Sequence, residues 1–217
     1  MSGLPIIVIG AGGHAKVLLD TLLNQEQGII GIVDKEISTL EKELLGIRII
    51  GTDDFVLHYQ TEKILLVNGI GSIKNTSIRK YIYDQFKEKG YSFANVIHSS
   101  AIIAKDVTLS EGVQVMAGVI IQTGSTIGPN TIINTRSSID HDCKIGAHVH
   151  IAPGVIISGG VEIGDGVHIG TGAVLIQGIK IGSNSLVGAG SVVIRDVIAE
   201  TTVIGVPATV RNGKNDF

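Results

Sequence analysis

The chain has no tryptophan, a single cysteine, four prolines and only 4% aromatic residues among its 217. So few aromatics exclude the stacking platforms on which single-stranded nucleic acids are held. A formal net charge of −3 offers no basic footprint for a duplex either. One cysteine cannot form an intrachain disulfide and suits a reducing compartment. No apolar run approaches the roughly 18 residues of a membrane span. The short run Ile6 to Ile9 lacks the basic flank and cleavage site of a signal peptide. The expectation is a soluble, cytoplasmic protein that engages neither nucleic acid nor membrane.

What the chain has in excess is glycine, 29 residues, and a strict period. From Ile97 to Val193 every sixth residue is a branched aliphatic: Ile97, Ile103, Leu109, Val115, Ile121 and onward without a slip. Four residues after each comes a small or β-branched residue, among them Ala101, Val107, Ser125, Cys143 and Ser185. A period of six fits no α-helix, whose apolar stripe repeats at about 3.6. It fits short strands that turn a corner every six residues, a parallel β-helix of hexapeptide repeats. Three strands per coil make the spatial repeat eighteen residues, and each coil buries its core only against its neighbours. A β-sandwich is the ordinary alternative, but its strands recur at 8–12 residues and alternate strictly.

Residues 1–96 follow a different grammar, of strands alternating with helices in a small parallel α/β sheet. Expected strands are Ile6 to Ile9, Gly28 to Asp34, Lys63 to Val67 and Tyr91 to Ile97. Expected helices carry Val17, Leu18, Leu22 and Leu23, then Ile78, Ile82 and Phe86, with a short one over Thr52 to Gln60. Residues 37–51 say little. Gly10-x-Gly12-x-x-Ala15 directly after a strand is a phosphate-cradling turn at a helix N-terminus. Asp34 follows at the distance where an acid meets a ribose hydroxyl. The segment holds little more than half of a dinucleotide fold, so one nucleotide, carried on a sugar, suits it better than NAD; a purely structural turn is the plain alternative. Residues 97–198 form the β-helix domain and 199–217 a C-terminal extension.

Four of the seven histidines, His141, His148, His150 and His168, crowd into one stretch of the β-helix. His141 lies between Asp140 and Asp142 at or near a corner, and a carboxylate on one ring nitrogen would leave the other as a base. Eighteen residues on, one coil above, stand Gly159 and Gly160, whose missing side chains open a slot and expose N–H groups to an oxyanion. His98 and His148 read as solvated corner residues, and His168 as an extension of a surface row. The histidine gaps complete no zinc ligand set, so no metal is expected. Cys143 reads as packing.

Together these residues resemble a known family. Gly-Ala-Gly-Gly-His-Ala at 10–15, Gly-Ile-Gly-Ser at 69–72, Ile-Asn-Thr at 133–135, Asp-His-Asp-Cys at 140–143 and Gly-Val-Pro-Ala at 205–208 are similar to the NeuD/PglD-type sugar acyltransferases of the left-handed β-helix superfamily. The resemblance implies a Rossmann-like N-terminal domain before a left-handed β-helix, a homotrimer with sites between prisms, and acetyl-CoA as co-substrate. It makes His141 the general base, Asp142 its polariser with Asp140 the local competitor, and Gly159 the oxyanion amide. His150, Gly159, Thr171 and Ala189 match positions along acetyl-CoA. Ala11, Gly12, Gly13, His14, Asp34, Gly71 and Ser72 match the nucleotide-sugar pocket, and Asn134 lies near the acceptor amine. The implied reaction is N-acetylation of a UDP-linked 4-amino-4,6-dideoxy sugar. Sialic acid O-acetylation and GDP-amino-sugar N-acetylation are the near alternatives; a zinc hydratase or a scaffold is the distant one.

Overall fold

A computed structural model describes residues 3–36, 42–72 and 75–211. The chain opens with strand β1 (Ile6–Ile9), helix α1 (Gly13–Asn24) and strand β2 (Ile29–Val33). A hairpin, β3 (Glu43–Leu44) and β4 (Ile47–Gly51), then leads through a 3-10 turn to β5 (Leu65–Asn68) and helix α2 (Ser77–Glu88). The sheet order is β3-β4-β2-β1-β5, parallel except for the antiparallel hairpin. All of β1 is buried because both its faces are covered. Ile6 and Val8 pack with Leu18, Leu19 and Leu22 of α1, and Ile7 and Ile9 with Ile82 and Phe86 of α2.

The hairpin was not foreseen: β4 occupies the end of 37–51, and residues 37–41 lie outside those described. The expected strand from Tyr91 shrinks to Val96–Ile97 with one bridge from Phe93 to Leu66. Val17, Leu23 and Ile78, expected on the apolar helix faces, are exposed. Val17 and Ile78 instead line a hollow described below.

From Val96 the chain winds as a triangular prism of two-residue strands in three parallel sheets. Ile121 pairs with Ile139 and Ile139 with Ile157, so one coil is eighteen residues. The six-residue aliphatics from Val115 to Val193 are buried, as are their small companions from Val113 to Val197. Corners need a left-handed residue. Glycine supplies most of them, but Asn130, Arg136, Asp142 and His148 adopt φ of 56 to 58° in consecutive repeats, a region that asparagine and aspartate tolerate best. The C-terminal extension, described to Arg211, adds a hairpin of Thr202–Gly205 and Ala208–Val210 to one sheet.

The three outer faces differ. One, with strands from Thr108 to Ile181, shows Thr108, Thr126, Lys144, Glu162 and Lys180 to solvent. A second shows Ile102, Ile120, Ser138, Ile156, Val174 and Val192. The third lies under the N-terminal sheet: Val96 and Met116 join the α1 cluster, and Gln114, Ile132 and His150 are buried there.

Candidate functional site

Where the N-terminal sheet meets the third face there is a hollow of about 810 Å³. Its wall includes Ala11, Gly12, Gly13, His14, Asp34, Gly71, Ser72 and Asn134, the whole set that the resemblance assigned to a nucleotide sugar. The turn after β1 is braced by Asp34, whose Oδ2 accepts the Ala11 N–H at 2.6 Å while Oδ1 accepts the Glu36 N–H at 2.9 Å. Asp34 therefore shapes the cradle as well as facing it. Asp53, also in the wall, has its pKa raised by burial and then by Asp34 and Asp54. Asp34, Glu36 and Asp53 make that part of the wall rich in carboxylates.

His14 ties the cradle to the β-helix. Its Nε2 donates to Gln114 Oε1 at 2.7 Å, and Gln114 Nε2 donates to the Asn68 carbonyl at 2.8 Å. Burial, with help from the Arg79 charge, lowers the His14 pKa to about 4. His150 is held similarly: Asn134 Nδ2 donates to its Nε2 at 3.3 Å, and its Nδ1–H donates to Ser72 Oγ. Burial lowers its pKa to about 3, so it is neutral. His168 stacks one coil above, edge-on at 4.9 Å between ring centroids, its Nδ1 buried without a hydrogen-bond partner among the described residues.

One expectation about these histidines needs correction. His148 is buried, not solvated, because Tyr83 of α2 packs edge-on against its ring and Asn130 Nδ2 donates to its Nδ1 at 3.0 Å. His150, which the resemblance grouped with the acetyl-CoA positions, lines the same hollow as the glycine cradle. Half a coil of sequence carries it across the prism from Gly159.

His141 stands on a separate corner, in a shallow depression with Asp140, Ser158, Gly159, Gly160, Gln177 and Gly178. Asp142 Oδ2 lies 2.8 Å from His141 Nδ1, so that nitrogen carries the proton and the lone pair of the neutral ring is left on Nε2. Asp140 does not reach the ring; its Oδ1 accepts the His141 backbone N–H at 2.8 Å. Both carboxylates raise the imidazole pKa, Asp142 through its hydrogen bond first and Asp140 through its charge. The ring lies over Gly159 so closely that a Cβ there would stand 2.5 Å from Nε2. Gly160 donates its N–H to the His141 carbonyl at 2.8 Å, while the Gly159 N–H has no partner among the described residues. Thr171 and Ala189 stack on a third corner, where Gly172 donates to Pro153 and Gly190 to Thr171. One chain thus brings together the nucleotide-sugar set, and separately His141, Asp142 and Gly159, but does not join Thr171 and Ala189 to either. Among the described residues no three His, Cys, Asp or Glu side chains gather to hold a metal, and no helix is long and apolar enough to cross a membrane.

Arg79, Gln114, Asn68 and Asp53 were missed in the sequence. Arg79 reads there as an ordinary charge on a helix, and nothing local marks it as buried.

The chain matches the PglD N-terminal domain family over residues 5–86 and the bacterial transferase hexapeptide family over 124–159 and 160–195. It is 29% identical over 160 residues, 71% of this chain and 70% of the other, to a GDP-perosamine N-acetyltransferase of Escherichia coli O157:H7. Among solved structures it is similar to a variant of perosamine N-acetyltransferase from Caulobacter crescentus in complex with CoA and GDP-perosamine. That likeness has a TM-score of 0.89 and 36% identity, over 96% of this chain and 97% of the other. It is also similar to the acetyltransferase domain of PglB from Neisseria gonorrhoeae in complex with acetyl coenzyme A, with a TM-score of 0.88 and 32% identity, over 96% and 100%. An α/β sheet carrying a glycine cradle, set on a left-handed β-helix with a histidine–carboxylate corner, places this chain in the PglD-type branch of the hexapeptide-repeat acyltransferase family.

Proposed function

We propose that this chain transfers the acetyl group of acetyl-CoA to the amine of a GDP-linked 4-amino-4,6-dideoxy sugar. The observation that carries the chemistry is His141, polarised by Asp142 and poised over the open Gly159. The sugar amine attacks the thioester carbonyl carbon directly. His141 Nε2 accepts the amine proton, the Gly159 N–H meets the developing oxyanion, and the C–S bond breaks to release CoA. The enzyme class rests on the relatives: a GDP-perosamine N-acetyltransferase, a perosamine N-acetyltransferase in complex with CoA, and an acetyltransferase domain in complex with acetyl coenzyme A.

The resemblance by itself points to UDP. Two observations move the proposal to guanine. Relatives similar along nearly the whole chain hold GDP-perosamine. The wall also carries Asp34, Glu36 and Asp53, and a carboxylate accepts two donors at once. Guanine offers N1–H and N2–H side by side; uracil offers one N–H between two acceptors.

The sugar-nucleotide hollow and the His141 depression share no lining residue. We place the complete site between copies of the chain in a homotrimer. The face bearing Ile102, 65% exposed, and Ile156, 50% exposed, supports this, because the polar face beside it shows no such row. The test is thiol release from acetyl-CoA with GDP- and UDP-linked 4-amino sugars and sialic acid as acceptors. Turnover with the GDP sugar is expected. Turnover confined to the UDP sugar would overturn the base assignment, and release with sialic acid alone would overturn N-acetylation.

A further inference from the structure

Arg79 is the largest side chain that is almost fully enclosed, 1% exposed. Its Nε donates to the Asn130 carbonyl at 3.1 Å, and one terminal nitrogen donates to the carbonyls of Asn68 at 2.7 Å and Ile70 at 2.9 Å. The other terminal nitrogen is buried without a partner among the described residues. Among the described residues no carboxylate pairs with this guanidinium; every partner there is a neutral carbonyl. A buried charge without a counter-charge is costly and is seldom kept without a use. Burial brings its pKa down only to about 9, so it is charged at neutral pH.

Its position supplies the use. Ile78 and Ile82, one residue before and three after it on α2, line the sugar-nucleotide hollow, as does Ile70, whose carbonyl it holds. The charge reaches His14 and His150, both in the wall, and opposes their protonation. In a planar trans peptide the C=O and N–H point opposite ways. Fixing the Ile70 carbonyl on Arg79 therefore turns the Gly71 N–H away from Arg79, and Gly71 itself lines the hollow.

We propose that Arg79 is the residue that makes this hollow specific for a diphosphate. It places an uncompensated positive charge behind the wall and holds the Asn68–Ser72 loop with an N–H toward the ligand. Arg79 does not touch the substrate, so it is a positioning residue whose field is completed when the diphosphate arrives. The inference rests on the nucleotide-sugar reading of the hollow and adds the residue that selects the charge.

The experiment is calorimetric binding of guanosine, GMP and GDP to the full chain, as wild type, Arg79→Lys and Arg79→Gln, with thermal melts as a check on folding. Wild type should bind GDP at least 30-fold more tightly than guanosine. Arg79→Lys should keep most of that ratio, and Arg79→Gln should lower it at least tenfold while guanosine binding and the KM for acetyl-CoA stay within about twofold. A purely structural role would weaken all three ligands alike, and that result, or equal ratios in Lys and Gln variants, overturns the proposal. If neither variant folds, the wild-type series decides: equal affinity for guanosine and GDP overturns it, and a steep rise with phosphate count supports it. Wild type that binds none of the three while turning over a UDP sugar would overturn the guanine reading alone, and UMP and UDP then replace GMP and GDP in the same comparison.

Discussion

At the residue scale the proposed chemistry rests on His141 and its carboxylate. His141→Ala is expected to lower turnover by roughly 10²–10⁴, the usual worth of a general base, with the KM for acetyl-CoA little changed. Turnover should rise with pH through an imidazole pKa that Asp142 and Asp140 hold above its ordinary value. Asp142→Asn removes the larger cause and so should move that limb to lower pH, while Asp140→Asn should move it less; steady-state pH profiles separate them. Asparagine tolerates the left-handed φ of 58° at position 142, so the change tests charge and not the corner. A profile that does not move with Asp142→Asn would deny it the polarising role.

His14 and His150 behave oppositely. Both are held neutral in the fold, at about 4 and about 3, and take up a proton once unfolded. The unfolded state binds more protons below about pH 6.5, so their contribution is complete above that pH and is lost as pH falls toward the folded values. Denaturant unfolding at pH 5 should show each costing on the order of 2 kcal/mol relative to pH 8. His150→Gln should remove its share of the difference.

At the element scale the glycine turn depends on a brace from outside it. Asp34 accepts N–H groups on both sides, from Ala11 and Glu36. Losing a charged hydrogen bond to backbone costs about 1.5–3 kcal/mol. Asp34→Ala should therefore raise the KM for the nucleotide sugar about tenfold or more and leave that for acetyl-CoA within about twofold. Equal effects on both substrates would show that the cradle does not hold the nucleotide. Elements also show where local reading fails. β1 and α1 are legible because an unbroken apolar run leads into a glycine turn and a helical apolar pattern, and the two-residue strands of the prism because a six-residue repeat states one choice many times. The β3–β4 hairpin was not, because two short strands carry too few residues to establish a period, and the strand from Tyr91 is cut to Val96–Ile97.

At the scale of the molecule, the outward positions sort by face. The column Ile102, Ile120, Ser138, Ile156, Val174 and Val192 is aliphatic but for Ser138, while the column through Lys144, Glu162 and Lys180 is charged and internally paired. Ile156→Lys should break the proposed trimer, seen by light scattering as a shift to monomer, and abolish turnover with it, since the His141 depression and the hollow at the cradle do not meet in one chain. An active monomer would refute the shared site.

The sequence by itself determined the prism, because a period of six states the inward position, the small companion and the corner in every repeat. It also marked the glycine cradle and the Asp-His-Asp corner, since those chemistries are local in the chain. Only the tertiary structure decided which carboxylate reaches the His141 ring, because the corner, not strand alternation, sets the direction of Asp142. It likewise decided that His148 and His150 are buried, that Gln114 closes on His14, and that Arg79 is enclosed without a counter-charge. Each of these depends on the N-terminal sheet lying on one face of the prism, a contact between residues up to 100 positions apart, and a local pattern carries no record of what will cover it.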